Sequence, residues 1–319
     1  MHPSLRPSLR SASKAKTLIQ YRARKFGTIP VVPYSQRCYS TAPTAVDLDY
    51  TEFIPPNGNT TDGAFVILHG LFGSRRNFAS LCKAFLRDLG RPVYALDLRN
   101  HGSSPHVAPM NYESMASDVR QFLDAKKLTG VSLMGHSMGG KVAMTLALSP
   151  SPPVLSNLII SDIAPTQTSL SPSFIRYLNI MSHIEDPTSD VRTREHTGKI
   201  LETVEQVCMN IGVRQFLLTN LVLPSDSEPT RKTVKFQIPI PILANAIPDL
   251  GSFPYGQGPS WNGKTLVVKG LRSNYINEEN IPILKAFFPN MKLKTMNTGH
   301  WVHGEKPNEF KDLVIDFIR

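Results

Sequence analysis

The chain has 319 residues, 41% of them apolar and 19% charged, a composition that supports one large core and argues against wholesale disorder. No run reaches the roughly 18 apolar residues of a membrane-spanning helix. Three cysteines without paired spacing (Cys38, Cys82 and Cys208) exclude a disulfide scaffold and a cysteine-ligated zinc site. The formal charge of +10 sits at one end: residues 1–46 hold eight bases and no acid, while the rest has 27 bases against 25 acids and no footprint for a nucleic-acid backbone.

That leader is also rich in Ser and Thr, the composition of a mitochondrial transit peptide, and it lacks the apolar stretch of a secretory signal. Arg37-Cys38-Tyr39-Ser40 is similar to a presequence cleavage site, so residues 1–39 are expected to be removed on import, with the mitochondrial matrix as destination. A reducing compartment suits unpaired cysteines.

Beyond residue 64 the periodicity switches between strand and helix. Phe65–Leu68 is a continuous apolar run, as a strand buried on both faces requires. Phe78, Leu81, Cys82, Phe85, Leu86 and Leu89 then form one stripe of a helix. Strands are expected at Val93–Leu96, Val131–Met134 and Leu158–Ile160, separated by helices carrying Met115–Leu123 and Val142–Leu148. This rhythm predicts βαβ units and a mostly parallel sheet. From 166 to 250 the pattern reads as several helices without strands. Alternation resumes at Leu266–Val268, then a helix with Leu284 and Phe287, a short strand near Leu293 and a terminal helix through Phe310–Ile318. The expected architecture is an α/β core (40–165 and 251–319) with an inserted helical cap (166–250).

Gly135-His136-Ser137-Met138-Gly139 matches G-x-S-x-G directly after an apolar strand and at the start of a helix, the context in which a strained turn lifts a serine out of a sheet. Ser137 is therefore the candidate nucleophile. His69-Gly70-Leu71-Phe72-Gly73 follows the first buried strand, and the N–H groups of Leu71 and Met138 are expected to form an oxyanion hole. A serine needs an imidazole to take its proton. His300, in Gly299-His300-Trp301-Val302-His303 after the last strand, is the candidate base, and His303 reads as a helix-start or surface residue. The pair is not read as a metal site, because no third ligand cluster accompanies it. His101 and Asp97 are assigned to a structural loop beside the pocket.

The acid departs from the usual pattern. After Leu266–Lys269, where an aspartate is ordinarily found in this fold, the chain reads Gly270-Leu271-Arg272-Ser273-Asn274-Tyr275. Glu278 and Glu279 lie too far along, at the start of the next helix. Asp162, in Ser161-Asp162-Ile163-Ala164-Pro165, ends the neighbouring strand at the carboxyl edge where open α/β sheets gather their chemistry. Asp162 is therefore the expected orienting acid, with Ser273 as an auxiliary hydrogen-bond partner.

Taken together, H-G-L-F-G-S, D-L-R-N-H-G, G-H-S-M-G-G-K, S-D-I-A-P and G-H-W-V-H resemble one branch of the α/β-hydrolase superfamily. That branch holds bacterial short-chain esterases, mitochondrial abhydrolase-domain proteins and yeast ethanol acetyltransferases. The resemblance spans residues 45–319, weakest in the cap, and implies a triad at the positions of Ser137, Asp162 and His300. It also implies esterase or thioesterase activity through an acyl-enzyme, without metal or organic cofactor. A serine at the elbow argues against dehalogenase or epoxide hydrolase chemistry, which similar families run with an aspartate there. Two rivals remain: acyl-CoA:alcohol acyltransfer, in which Arg75 and Arg76 would meet a CoA phosphate unless they are simply an exposed helix-start pair, and a mitochondrial protein-binding or protective factor on the same fold.

Overall fold

The computed structural model describes residues 44–319 except 57, 59–62, 153–154, 168–169, 171, 204–210, 226, 228–229 and 257. The expected transit peptide, Cys38 and Cys208 lie outside the described residues. In chain order, β1 (Tyr50–Phe53), β2 (Phe65–Leu68), α1 (Ala79–Leu89), β3 (Val93–Leu96), α2 (Tyr112–Ala125), β4 (Val131–His136), α3 (Met138–Ala147) and β5 (Leu155–Ser161) come first. Then follow α4 (Pro172–Glu185), α5 (Arg194–Thr203), α6 (Ile211–Leu217), β6 (Leu221–Val222), β7 (Lys235–Phe236) and α7 (Ile240–Gly251). Alternation resumes with β8 (Lys264–Gly270), α8 (Ile281–Phe287), β9 (Met291–Met296), α9 (Val302–Glu305) and α10 (Pro307–Ile318).

Seven strands form one sheet in the order β1-β3-β2-β4-β5-β8-β9. Every neighbouring pair is parallel except β1–β3. The apolar runs are continuous because both faces are covered. Phe65 and Ile67 of β2 point to a core shared with α1 and α10, and Val66 and Leu68 to the core beneath α2, α3, α4 and α7. Full burial of such a side chain stabilises the fold by about 1.5–3 kcal/mol, which makes the central strands the thermodynamic anchor of the site.

Two features escape the sequence pattern. β1 is an antiparallel edge strand whose Thr51 and Glu52 are exposed, so it carries no apolar run. Between β5 and β8 the chain is not purely helical: Leu221–Val222 pairs with Lys235–Phe236 as a short antiparallel ladder. Two-residue strands are too short to leave a period.

One side chain of the core reaches both ends of the inserted segment. Lys141 of α3 donates from Nζ to Thr166 O at 2.9 Å, before α4, and to Gly251 O and Ser252 O at 3.3 and 2.8 Å, at the end of α7. All three ammonium hydrogens therefore have acceptors. Burial pushes this amine down to about 8.

Candidate active site

The carboxyl ends of β2, β4, β5 and β8, together with the loop after β9, converge on one region. β4 delivers Ser137 at φ 52°, ψ −118°, a left-handed geometry that costs an L-residue about 1–3 kcal/mol. Both flanking glycines are needed there. A Cβ on Gly135 would stand 2.1 Å from Gly139 O, and one on Gly139 would stand 2.5 Å from His69 O. The strained turn is affordable because β4 and α3 pack on either side of it without leaving room for another path.

Asp162 follows β5, also at positive φ (52°), and is fully buried. Its Oδ2 accepts from His300 Nδ1 at 2.8 Å and its Oδ1 from the Gly270 N–H at 2.9 Å. A carboxylate only accepts, so Nδ1 carries the ring proton and Nε2 is left as the basic nitrogen. The His300 ring stacks on Tyr275 with centroids 4.1 Å apart, and its carbonyl oxygen accepts from His136 Nε2 at 3.0 Å. The residue between the glycine and the serine of the elbow thus holds the loop that carries the histidine.

The Leu71 and Met138 N–H groups donate to no other group among the described residues, and both residues are buried beside Ser137. Two more imidazoles shape the Leu71 loop. His69 Nδ1 donates to Gly70 O at 2.8 Å and its Nε2 accepts from the Leu98 N–H at 3.0 Å. His101 Nδ1 donates to Arg99 O and its Nε2 accepts from the Phe72 N–H at 3.1 Å. Burial pushes His69 down to about 4 and His101 to about 3, so both rings stay neutral and can accept as well as donate. Asn220 Nδ2 fastens the same loop by donating to Phe72 O at 2.8 Å.

A cavity of about 250 Å³ is lined by Ser137, His300 and His303, and walled by Phe72, Phe174, Tyr177, Phe216, Leu217 and Trp301. A smaller one of about 40 Å³ lies against Ser137 on another side, lined by Met138, Ile163, Leu250 and Tyr275. Its polar neighbours are already engaged: Lys141 as described, and Tyr112 through Oη donating to Leu250 O at 2.7 Å.

The other residues singled out from sequence fall as follows. Asp97 accepts from the Arg75 and Ser103 N–H groups and organises its own loop. Glu278 and Glu279 are exposed in a turn before α8. Ser273 does not join the Asp162–His300 pair: its hydroxyl oxygen accepts from the Tyr275 N–H at 3.3 Å, turned back on its own loop. Arg75 is half-buried against Asp49 and Asp97 and so is committed within the protein, whereas Arg76 is exposed. His303 stands at a helix start, yet it is buried rather than on the surface. His136, Tyr275 and Asn220 were not foreseen. Of these only His136 had a signal, its place inside the elbow motif. Among the described residues no group of three or more His, Cys, Asp or Glu side chains is gathered to hold a metal ion, and no helix is long and apolar enough to cross a membrane.

A mostly parallel sheet that presents a strained serine between strand and helix defines the class. Residues 63–184 match the α/β hydrolase fold family. The chain is 37% identical over 282 residues to the sn-1-specific diacylglycerol lipase ABHD11 of Xenopus laevis, covering 87% of this chain and 85% of that protein. It is 36% identical over 263 residues to a probable alcohol acetyltransferase of Saccharomyces cerevisiae, covering 79% and 76%. Among solved structures, a marine microorganism esterase superposes with a TM-score of 0.74 at 32% identity, over 86% of this chain and all of that one. The chain belongs to the α/β-hydrolase family.

Proposed function

We propose that the protein is a serine hydrolase of carboxylic esters or thioesters, with Ser137 as nucleophile, His300 as base and Asp162 as orienting acid. The observation that carries this reading is the 2.8 Å contact from His300 Nδ1 to Asp162 Oδ2, on the cavity that Ser137 also lines. His300 Nε2 takes the Ser137 proton as Oγ attacks the acyl carbonyl, and the buried carboxylate stabilises the imidazolium that results. The oxyanion is held by the Leu71 and Met138 N–H groups, each such donor worth roughly 3 kcal/mol in related systems. His300 then protonates the leaving oxygen or sulfur, and water attacks the acyl-enzyme. The reading is supported by lipase and esterase relatives.

Fluorophosphonate labelling of the wild type and of Ser137→Ala tests it. The wild type should label and turn over short p-nitrophenyl esters, and the variant should do neither. Equal labelling of the two would remove Ser137 from the mechanism.

A second reading, transfer of the acyl group to an alcohol, is favoured by the aromatic wall of the larger cavity and by the acetyltransferase relative. Incubation with acetyl-CoA, with and without ethanol, separates the two. Ester formation exceeding acetate release would favour transfer.

A further inference from the structure

The mechanism above leaves one buried imidazole beside the reaction centre unused. His303, the second residue of α9, is 8% exposed and lines the larger cavity. Aromatic contacts alone hold its ring. It stacks on Phe78 at 4.5 Å and 23°, and meets His136 edge-on at 4.5 Å. Its Nδ1 is buried without a hydrogen-bond partner, and Nε2 bonds to no described residue either. A phenylalanine would satisfy the same packing with nothing left unpaired, so the two nitrogens call for another explanation.

Its position supplies one. A surface groove of about 260 Å³ shares Asn77, Phe216, Trp301 and His303 with the larger cavity, so the imidazole stands where the cavity meets the outside. The Asn77 Oδ1 accepts from the Ser74 N–H at 2.6 Å, which leaves its amide nitrogen as a donor at the same junction. The direction of the chemistry completes the argument. His300 lines the larger cavity and not the smaller, while Met138 lines the smaller and not the larger. The departing oxygen or sulfur takes its proton from the base. The leaving group therefore exits through the larger cavity, past His303.

We propose that His303 is a specificity-determining residue that hydrogen-bonds a hydroxyl or amide on the leaving-group side of the ester or thioester, with the Asn77 amide as a second donor. Burial holds this imidazole down to about 3, so the ring is neutral; with Nδ1 buried, Nε2 is the atom that meets the ligand, as donor or acceptor according to the tautomer. The proposal rests on the serine-hydrolase reading.

Two matched pairs test it: glyceryl monobutyrate against propyl butyrate, and S-butyryl-N-acetylcysteamine against S-pentyl thiobutyrate. The wild type should prefer the hydrogen-bonding member of at least one pair by about tenfold in kcat/KM, and the pair concerned tells a hydroxyl from an amide. His303→Phe should bring that ratio near parity, and His303→Gln should restore part of it. Using the ratio cancels any loss common to both substrates. No wild-type preference in either pair, or a ratio unmoved by His303→Phe, overturns the proposal. Absence of a wild-type preference overturns the proposal even if His303→Phe does not fold, and an unchanged ratio in His303→Gln, His303→Thr or His303→Ala then does the same for an existing preference. Calorimetric Kd values for the same pairs on Ser137→Ala read the contact without turnover. Absence of hydrolysis thus counts against the hydrolase reading, and an equal Kd within both pairs counts against His303.

Discussion

Four histidines around the site are buried neutral, and this should make the fold sensitive to mild acid. Burial pushes His69 down to about 4, His101 and His303 to about 3, and His136 well below its ordinary 6.5. In the unfolded chain each titrates near 6.5. Above that pH neither state holds these protons, and the four rings do not affect stability. Below it the unfolded chain takes up protons that the folded chain refuses, so stability falls until the folded values are reached. At pH 5.5, one unit under the unfolded value, each ring costs a little over 1 kcal/mol, or roughly 5 kcal/mol for four. That is comparable with the whole stability of many domains, about 5–15 kcal/mol. Asp118 and Glu185, both raised by burial, work in the opposite sense as the pH falls towards the carboxylate range, so the measurement stops at pH 5.5. Urea unfolding followed through Trp261 and Trp301 at pH 7.5, 6.5, 6.0 and 5.5 gives the slope of stability against pH, hence the proton excess of the unfolded state. About three to four protons are expected at pH 5.5. An excess below one would refute the reasoning.

The remaining predictions concern the triad, the buried ion pair and the leader. Ser137→Ala should lower kcat by roughly 10⁴–10⁶-fold with an unchanged circular dichroism spectrum; a loss under tenfold would show that another group attacks. Asp162→Asn should reduce turnover far more than Glu278→Gln, and the reverse ranking in parallel steady-state assays would overturn the choice of acid. Arg99 and Asp118 are paired with neither side chain exposed, so Arg99→Met, which strands the carboxylate, should cost about 3–5 kcal/mol in denaturant titration. For the proposed import, fusing residues 1–46 to a fluorescent protein should carry it into mitochondria, whereas a diffuse cytosolic signal would speak against a transit peptide.

Much of the core was legible because its strands are buried on both faces: runs such as Phe65–Leu68 admit few other readings, and the helical stripes between them are regular. The elbow was legible for a related reason, since two glycines around a serine between strand and helix answer a steric demand that few residue sets meet. Asp162 could be chosen by elimination, because the usual place after β8 holds no acid. What stayed hidden depends on contacts between distant segments. Tyr275 meets His300, and Asn220 reaches Phe72 across 148 positions, with no local pattern to announce either. β1 was missed because an edge strand with exposed Thr51 and Glu52 looks like a loop. Ser273 illustrates the reverse error: it stood at the right place in the chain, but the turn it occupies directs its hydroxyl to its own backbone.

The Lys141 ammonium, with carbonyls from both ends of the helical excursion around it, bears on how the two parts of the chain relate. Seen from the sheet, everything between Thr166 and Gly251 begins and ends at a single point, as a short turn would. The entropy of closing a loop grows only logarithmically with its length, so a longer or shorter excursion between those two attachments alters the sheet's stability little. The inserted segment can therefore vary in length between those attachments while the sheet keeps its register, and a cationic side chain one turn past Ser137 is the rivet that joins its two ends.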